Sequence, residues 1–253
     1  MRLIIAIAAF GFVAGQASAA SFIPDPIIER TPFDKPVRFV RHILPAAENA
    51  PNPAGVVRCY YYPTFTVKEL DNGEHGDDAI SVTPFSSAAA RPACGKQNDP
   101  GEVILKDGQG GYFVGAKSDF VYLLSTNGAD TNPFSLVNAQ TGKTIYTDQG
   151  LDPGPAALSV IGDVLTLSYT HGAAGSCSIL AGGETCWSSF AHQTKLPRII
   201  AVKPAPVEAC RTGYGTTPAT HPSVVAYPVT ITVDLKGEAK VLSRGNLICR
   251  PQS

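Results

Sequence analysis

Apolar and polar positions alternate along much of the chain in short runs, and a period of two predicts β-strands. Tyr60 to Val67 is aromatic and β-branched, Asp71-Asn72-Gly73 supplies a turn, and Ile80 to Phe85 resumes the pattern. Tyr112 to Val114, Phe120 to Ser125, Phe134 to Asn138 and Lys143 to Thr147 are further short candidates. Lys117-Ser118-Asp119, Asn127-Gly128 and Thr141-Gly142 separate them. Leu158 to Ile161 and Val164 to Tyr169 flank Gly162-Asp163, a two-residue turn suited to a tight hairpin. Val224 to Val233 and Lys240 to Leu242 close the series across Lys236-Gly237. No long stretch after the N-terminus carries a clear helical period. The pattern predicts an all-β fold in which residues 56–253 form one disulfide-stabilised antiparallel domain. Sandwich, barrel-like and propeller-like closure are its candidate architectures.

The N-terminus departs from this pattern. Met1-Arg2 is a short positive region, Leu3 to Ala14 is uncharged and apolar, and Ala17-Ser18-Ala19 has the small-x-small form a signal peptidase requires. As a helix the apolar run spans about 18 Å, short of the ~30 Å hydrocarbon core. Residues 1–19 are therefore expected to be a cleaved signal peptide, with no stable membrane span in what remains. Residues 20–55 carry Pro24, Pro26, Pro32, Pro36, Pro45, Pro51 and Pro53, which predicts an extended arm. Within it Val37 to Leu44 fits a short strand, and Arg30, Lys35, Arg38, Arg41 and His42 fit a solvated face.

The stretch Phe134-Ser-Leu-Val-Asn138-Ala-Gln-Thr141-Gly142-Lys143-Thr-Ile-Tyr146 resembles a hairpin of quinoprotein-type and related β-propellers. The resemblance implies a strand–turn–strand unit at these residues. A propeller repeats such units at a fixed period, and no second copy aligns with this one, so no functional residue is carried across.

Cys59, Cys94, Cys177, Cys186, Cys210 and Cys249 are an even set in a chain expected to be exported, which reads as three disulfides. None forms a Cys-x-x-Cys pair. The gaps favour sequential pairing: Cys59 with Cys94, Cys177 with Cys186 across an expected hairpin containing Gly182-Gly183, and Cys210 with Cys249. The 24 Gly and 21 Pro in 253 residues are punctuation between strands. Lys+Arg 20 against Asp+Glu 21 lacks the basic excess of a nucleic-acid binder.

The candidates for chemistry are scattered. Thr141-Gly142-Lys143-Thr144 ends like a phosphate-binding loop, but the position of its earlier glycine is Val137. The acidic run from Asp71 to Asp78 with His75 fits neither a calcium loop nor a zinc site, and reads as a polar loop. No Gly-x-Ser-x-Gly occurs. His171, His192 and His221 are candidate bases, Asp163 and Asp152 candidate orienting carboxylates, and Ser176 a candidate nucleophile beside Cys177. Glu102, Glu184 and Glu208 lie in unrelated segments. Tyr60-Tyr61-Tyr62 and Trp187 are candidates for stacking on sugars or peptides. Neighbouring strand tyrosines face opposite ways, however, so at least one is expected in the core, and Trp187 beside Cys186 suits core packing. No metal or cofactor is expected. The expected function is that of an exported periplasmic or secreted protein, non-catalytic, binding an envelope or extracellular protein or a small ligand. The alternatives are a secreted hydrolase assembled only in three dimensions and a secreted inhibitor or effector.

Overall fold

The computed structural model describes residues 31–44, 55–71, 79–87, 90–106, 111–125 and 130–252. The expected signal peptide and residues 72–78 of the acidic run lie outside them. The chain forms two antiparallel sheets and one helical segment. The first sheet is a five-stranded meander of β1 (Arg38–Ile43), β2 (Val56–Tyr61), β3 (Phe65–Asp71), β4 (Ala79–Pro84) and β5 (Val103–Ile104). The second contains β6 (Gly111–Lys117), β7 (Phe120–Ser125), β8 (Asn132–Asn138), β9 (Thr144–Gly150), β10 (Ala157–Ile161), β11 (Val164–Ala174), β12 (Ser223–Asp234), β13 (Ala239–Arg244) and β14 (Ile248–Pro251). Its order is β13-β12-β11-β9-β8-β7-β6, with β10 also on β11 and β14 also on β12. Helices α1 (Ile179–Gln193), α2 (Arg198–Ala201) and α3 (Val207–Tyr214) lie between β11 and β12 in the chain.

The alternation of side chains across each strand builds the layers. Tyr60, Val67, Ile80 and Val82 of the first sheet pack against Phe113, Val121, Leu123 and Val137 of the second. The opposite face of the second sheet supplies Phe134, Leu136, Leu165, Leu167, Tyr227 and Ile231, which pack with Ile179, Trp187, Phe190 and Tyr214 of the helical segment. One buried polar link joins the two sheets: Glu69 of β3 accepts from the Tyr60 hydroxyl (2.8 Å) and from the Phe113 N–H of β6 (3.0 Å). All of Tyr60, Tyr61, Tyr62 and Trp187 are buried.

Three expectations are corrected. Neither sheet closes, and sheets of five and nine strands are not a ring of propeller blades, although the β8–β9 turn forms where the resemblance placed one. The apolar run from Tyr60 to Val67 is broken into β2 and β3 by a turn in which the Tyr62 N–H donates to the Phe65 carbonyl (2.8 Å). The segment Ser178 to Thr185 is not a hairpin. It opens α1, where the Ser178 hydroxyl accepts from the Ala181 N–H (3.2 Å) as an N-cap. Gly183, at φ 53°, kinks α1. Two adjacent glycines each weaken helix propensity by about 1 kcal/mol relative to alanine, which hides this helix from a periodicity search.

The disulfides join Cys59 to Cys94, Cys177 to Cys186 and Cys210 to Cys249. Cys59–Cys94 holds the 90–102 segment against the outer face of the first sheet. Hydrogen bonds from the Tyr61 hydroxyl to the Pro92 carbonyl (3.0 Å) and from Lys68 Nζ to the Gln97 carbonyl (2.9 Å) support it there. β1, which falls within the Pro-rich segment, pairs with β2 along its whole length.

The second sheet has one weak seam. On one side β11 pairs with β12 from Val164↔Asp234 to Ala174↔Val224. The other side is divided. β10 takes its first part, from Val164 to Ser168, and β9 meets it at the single pair His171↔Gly150. One further backbone bond, from the Leu151 N–H to the Thr170 carbonyl (2.7 Å), lies beside that pair. The strands carrying β6 to β9 therefore join those carrying β11 to β14 through very little backbone pairing.

A carboxylate–imidazole–phenol cluster at the sheet seam

Alternation places Tyr146 and Asp148 of β9 on one face of the sheet, and Tyr169 and His171 of β11 on the same face across the seam. There they meet. Asp148 Oδ1 lies 2.9 Å from His171 Nδ1. Asp148 Oδ2 accepts a short bond from the Tyr169 hydroxyl and another from the Tyr146 hydroxyl (3.0 Å). The two hydroxyls are themselves 2.8 Å apart. The His171 ring lies against the Tyr227 ring of β12, with centroids 4.8 Å apart and planes 31° apart. Asp148 and His171 keep 23% and 14% of their side-chain surface exposed, so the cluster is largely but not wholly dry.

The electrostatics follow from this geometry. Burial raises the Asp148 carboxyl, but hydrogen bonding and charge from His171, the Tyr169 hydroxyl and the Gln149 N–H outweigh it and leave the group below the usual carboxylate range. An ionised carboxylate only accepts, so His171 Nδ1 carries a proton towards it. Burial and then the Asp148 charge push the Tyr169 and Tyr146 phenols well above the ordinary tyrosine range. Burial and the Asp148 charge also raise Tyr227, to about 12, against a hydrogen bond and charge from Arg244. Polar side chains thus run from Arg244 through Tyr227, His171 and Asp148 to Tyr169 and Tyr146, across four strands.

The expected orienting carboxylates are elsewhere: Asp163 is exposed in the β10–β11 turn and Asp152 follows β9. Ser176 does not reach His171, and its hydroxyl donates to Gln193 Oε1 (3.1 Å). Cys177 is in a disulfide. His192 and His221 are exposed on the helical segment. Among the described residues no hydroxyl other than those of the tyrosines belongs to the cluster. A groove of about 400 Å³ borders the same strands, lined by Ser125, Pro133, Phe134, Ser135, Thr147, Asp148 and Gln149, so Asp148 belongs both to the cluster and to the groove wall.

A second polar cluster sits on the outer face of the first sheet. Lys68 and Ser81 are cross-strand partners on β3 and β4, and both donate to the buried Glu102, at 2.7 and 2.5 Å. The Asp99 N–H donates to the same carboxylate (2.7 Å). Burial raises Glu102, and bonds from Lys68, Ser81 and Asp99 bring it below its ordinary value. The other two glutamates stand apart: Glu184 accepts from the Ala205 N–H (2.8 Å), and Glu208 pairs with Arg211 (2.5 Å). No group of three or more His, Cys, Asp or Glu that could hold a metal ion occurs among the described residues. Of the same residues, no helix is long and apolar enough to cross a membrane.

The sequence singled out His171 but missed Asp148, Tyr146, Tyr169 and Tyr227. The signal present was two Tyr-x-polar pairs, Tyr146-x-Asp148 and Tyr169-x-His171, each confined to one strand face. Comparison with protein-family models, with curated proteins and with solved structures finds no match for this chain.

Proposed function

We propose that the protein is an exported, non-catalytic binding or structural component of a bacterial envelope, periplasmic or secreted. One observation carries the non-catalytic reading: both oxygens of Asp148 are engaged by side chains that bridge the β9–β11 seam, where the backbone pairs at one residue. In that role the cluster replaces missing ladder bonds, and Ser176 is turned away from His171. The exported location is supported by the signal-like N-terminus and by three disulfides, which are consistent with an oxidising compartment.

A secreted hydrolase is the second reading, favoured by the Asp148–His171 pair, which has the orientation of a base held by a carboxylate. A screen of the purified protein against chromogenic esters, peptides and glycosides separates the two. The non-catalytic reading predicts no turnover above buffer. Turnover that His171→Ala abolishes in a folded protein overturns it.

A further inference from the structure

The segment joining α1 to α3 carries charge and exposed apolar surface in a combination absent from the cluster above. From Thr185 to Val207 there is no Asp or Glu, while Lys195, Arg198 and Lys203 are present and exposed. The flanking acids are engaged, Glu184 with the Ala205 N–H and Glu208 with Arg211. None of the three cations forms an ion pair among the described residues. Between them Ile199 and Val202 leave 60% and 70% of their surface in solvent. Ile199 and Val202 are three residues apart on one helical turn, with Arg198 beside them, while Ile200 and Leu196 point into the core. The turn is held in place before anything binds. Trp187 Nε1 donates to the Lys203 carbonyl (2.8 Å), and the Cys177–Cys186 disulfide fixes the start of α1.

Aliphatic side chains projecting from a rigid turn between three cations, with the Glu184 carboxylate held beyond them at the Ala205 N–H, match the interface of an anionic bilayer. The apolar groups enter the acyl boundary and the cations meet the phosphates. We propose that Lys195, Arg198, Ile199, Val202 and Lys203 dock the protein on the surface of a membrane containing anionic lipid. The near-neutral net charge of −1 provides little long-range attraction, so the local patch must supply it.

The test is cosedimentation of the protein, purified as the exporting cell leaves it, with two kinds of vesicle: pure phosphatidylcholine, and phosphatidylcholine with about one third phosphatidylglycerol. Binding is expected only to the anionic vesicles and is expected to weaken with salt. Arg198→Gln and Lys203→Gln should each weaken it about fivefold. Ile199→Ser with Val202→Ser should weaken it without changing the melting temperature, since both side chains are exposed. All variants share one N-terminus, so a difference between them reports the patch. No binding to anionic vesicles, or binding that these variants leave intact, overturns the proposal. Equal affinity for soluble polyglutamate also overturns it, in favour of an acidic protein surface. None of these outcomes bears on the hydrolase screen, which tests the non-catalytic reading separately.

Discussion

Asp148 gathers four partners on one carboxylate: the His171 ring, two tyrosine hydroxyls and the Gln149 N–H. Removing its charge leaves the buried Tyr169 phenol, the half-buried Tyr146 phenol and an imidazole short of their charged acceptor. Asp148→Asn is therefore expected to lower the unfolding free energy by about 2 kcal/mol near neutral pH, measured by urea titration. The pH dependence has a definite sign. The folded carboxyl lies below its unfolded value of about 3.9, so its contribution is complete above that value and is lost as pH falls through the folded one. The stability difference between wild type and Asp148→Asn should accordingly close as the pH is lowered from about 5 to below 3. A difference that persists undiminished in acid contradicts the assignment. Glu102 shifts in the same direction, so wild type loses some stability in acid independently of Asp148. The comparison with the variant isolates the Asp148 part.

The helical segment depends on close backbone contact with the sheet. A Cβ on Gly213 of α3 would overlap the Cys249 carbonyl oxygen of β14, and Cys249 is itself tied to Cys210 of α3. Neither neighbour can move away freely. Gly213→Ala is expected to lower the melting temperature by several degrees, about 1–3 kcal/mol in an overpacked contact, as thermal denaturation would register. An unchanged melting temperature would show that α3 can shift off β14.

This contact also marks where the sequence is legible. The β-strands declare themselves because Phe120 to Ser125, Leu158 to Ile161 and Val164 to Tyr169 alternate with turn residues between them, and the Gly162-Asp163 hairpin forms as its φ > 0 preference dictates. The helix α1 does bury Ile179, Cys186, Trp187 and Phe190 at helical spacing. That signal was masked by Gly182-Gly183 and by cysteines that equally suit a hairpin staple. The site was half legible for a different reason. His171 is visible in the sequence, but its partner is set by the β9–β11 pairing, and β10 intervenes between those strands in the chain. Local periodicity holds no information about that long-range register.

On the scale of the molecule, the fold is a two-sheet stack with a helical cap, fastened at three points by covalent links. The disulfides close loops with sequence separations of 35, 9 and 39. By chain entropy the two longer loops each restrict the unfolded state by about 4 kcal/mol and the shortest by about 2.6 kcal/mol. The strand pair at the centre of the second sheet has no such link. There the continuity of the sheet rests on the His171↔Gly150 pair, the neighbouring Leu151–Thr170 bond and the side chains around Asp148. Amide hydrogen exchange on wild type and Asp148→Asn, compared strand by strand, measures that seam directly. Loss of protection should centre on the amides of β9 and on Tyr169 to Gly172 of β11, while the β2–β3 and β7–β8 ladders keep theirs. Equal protection of β9 in both proteins would contradict a structural role for the cluster.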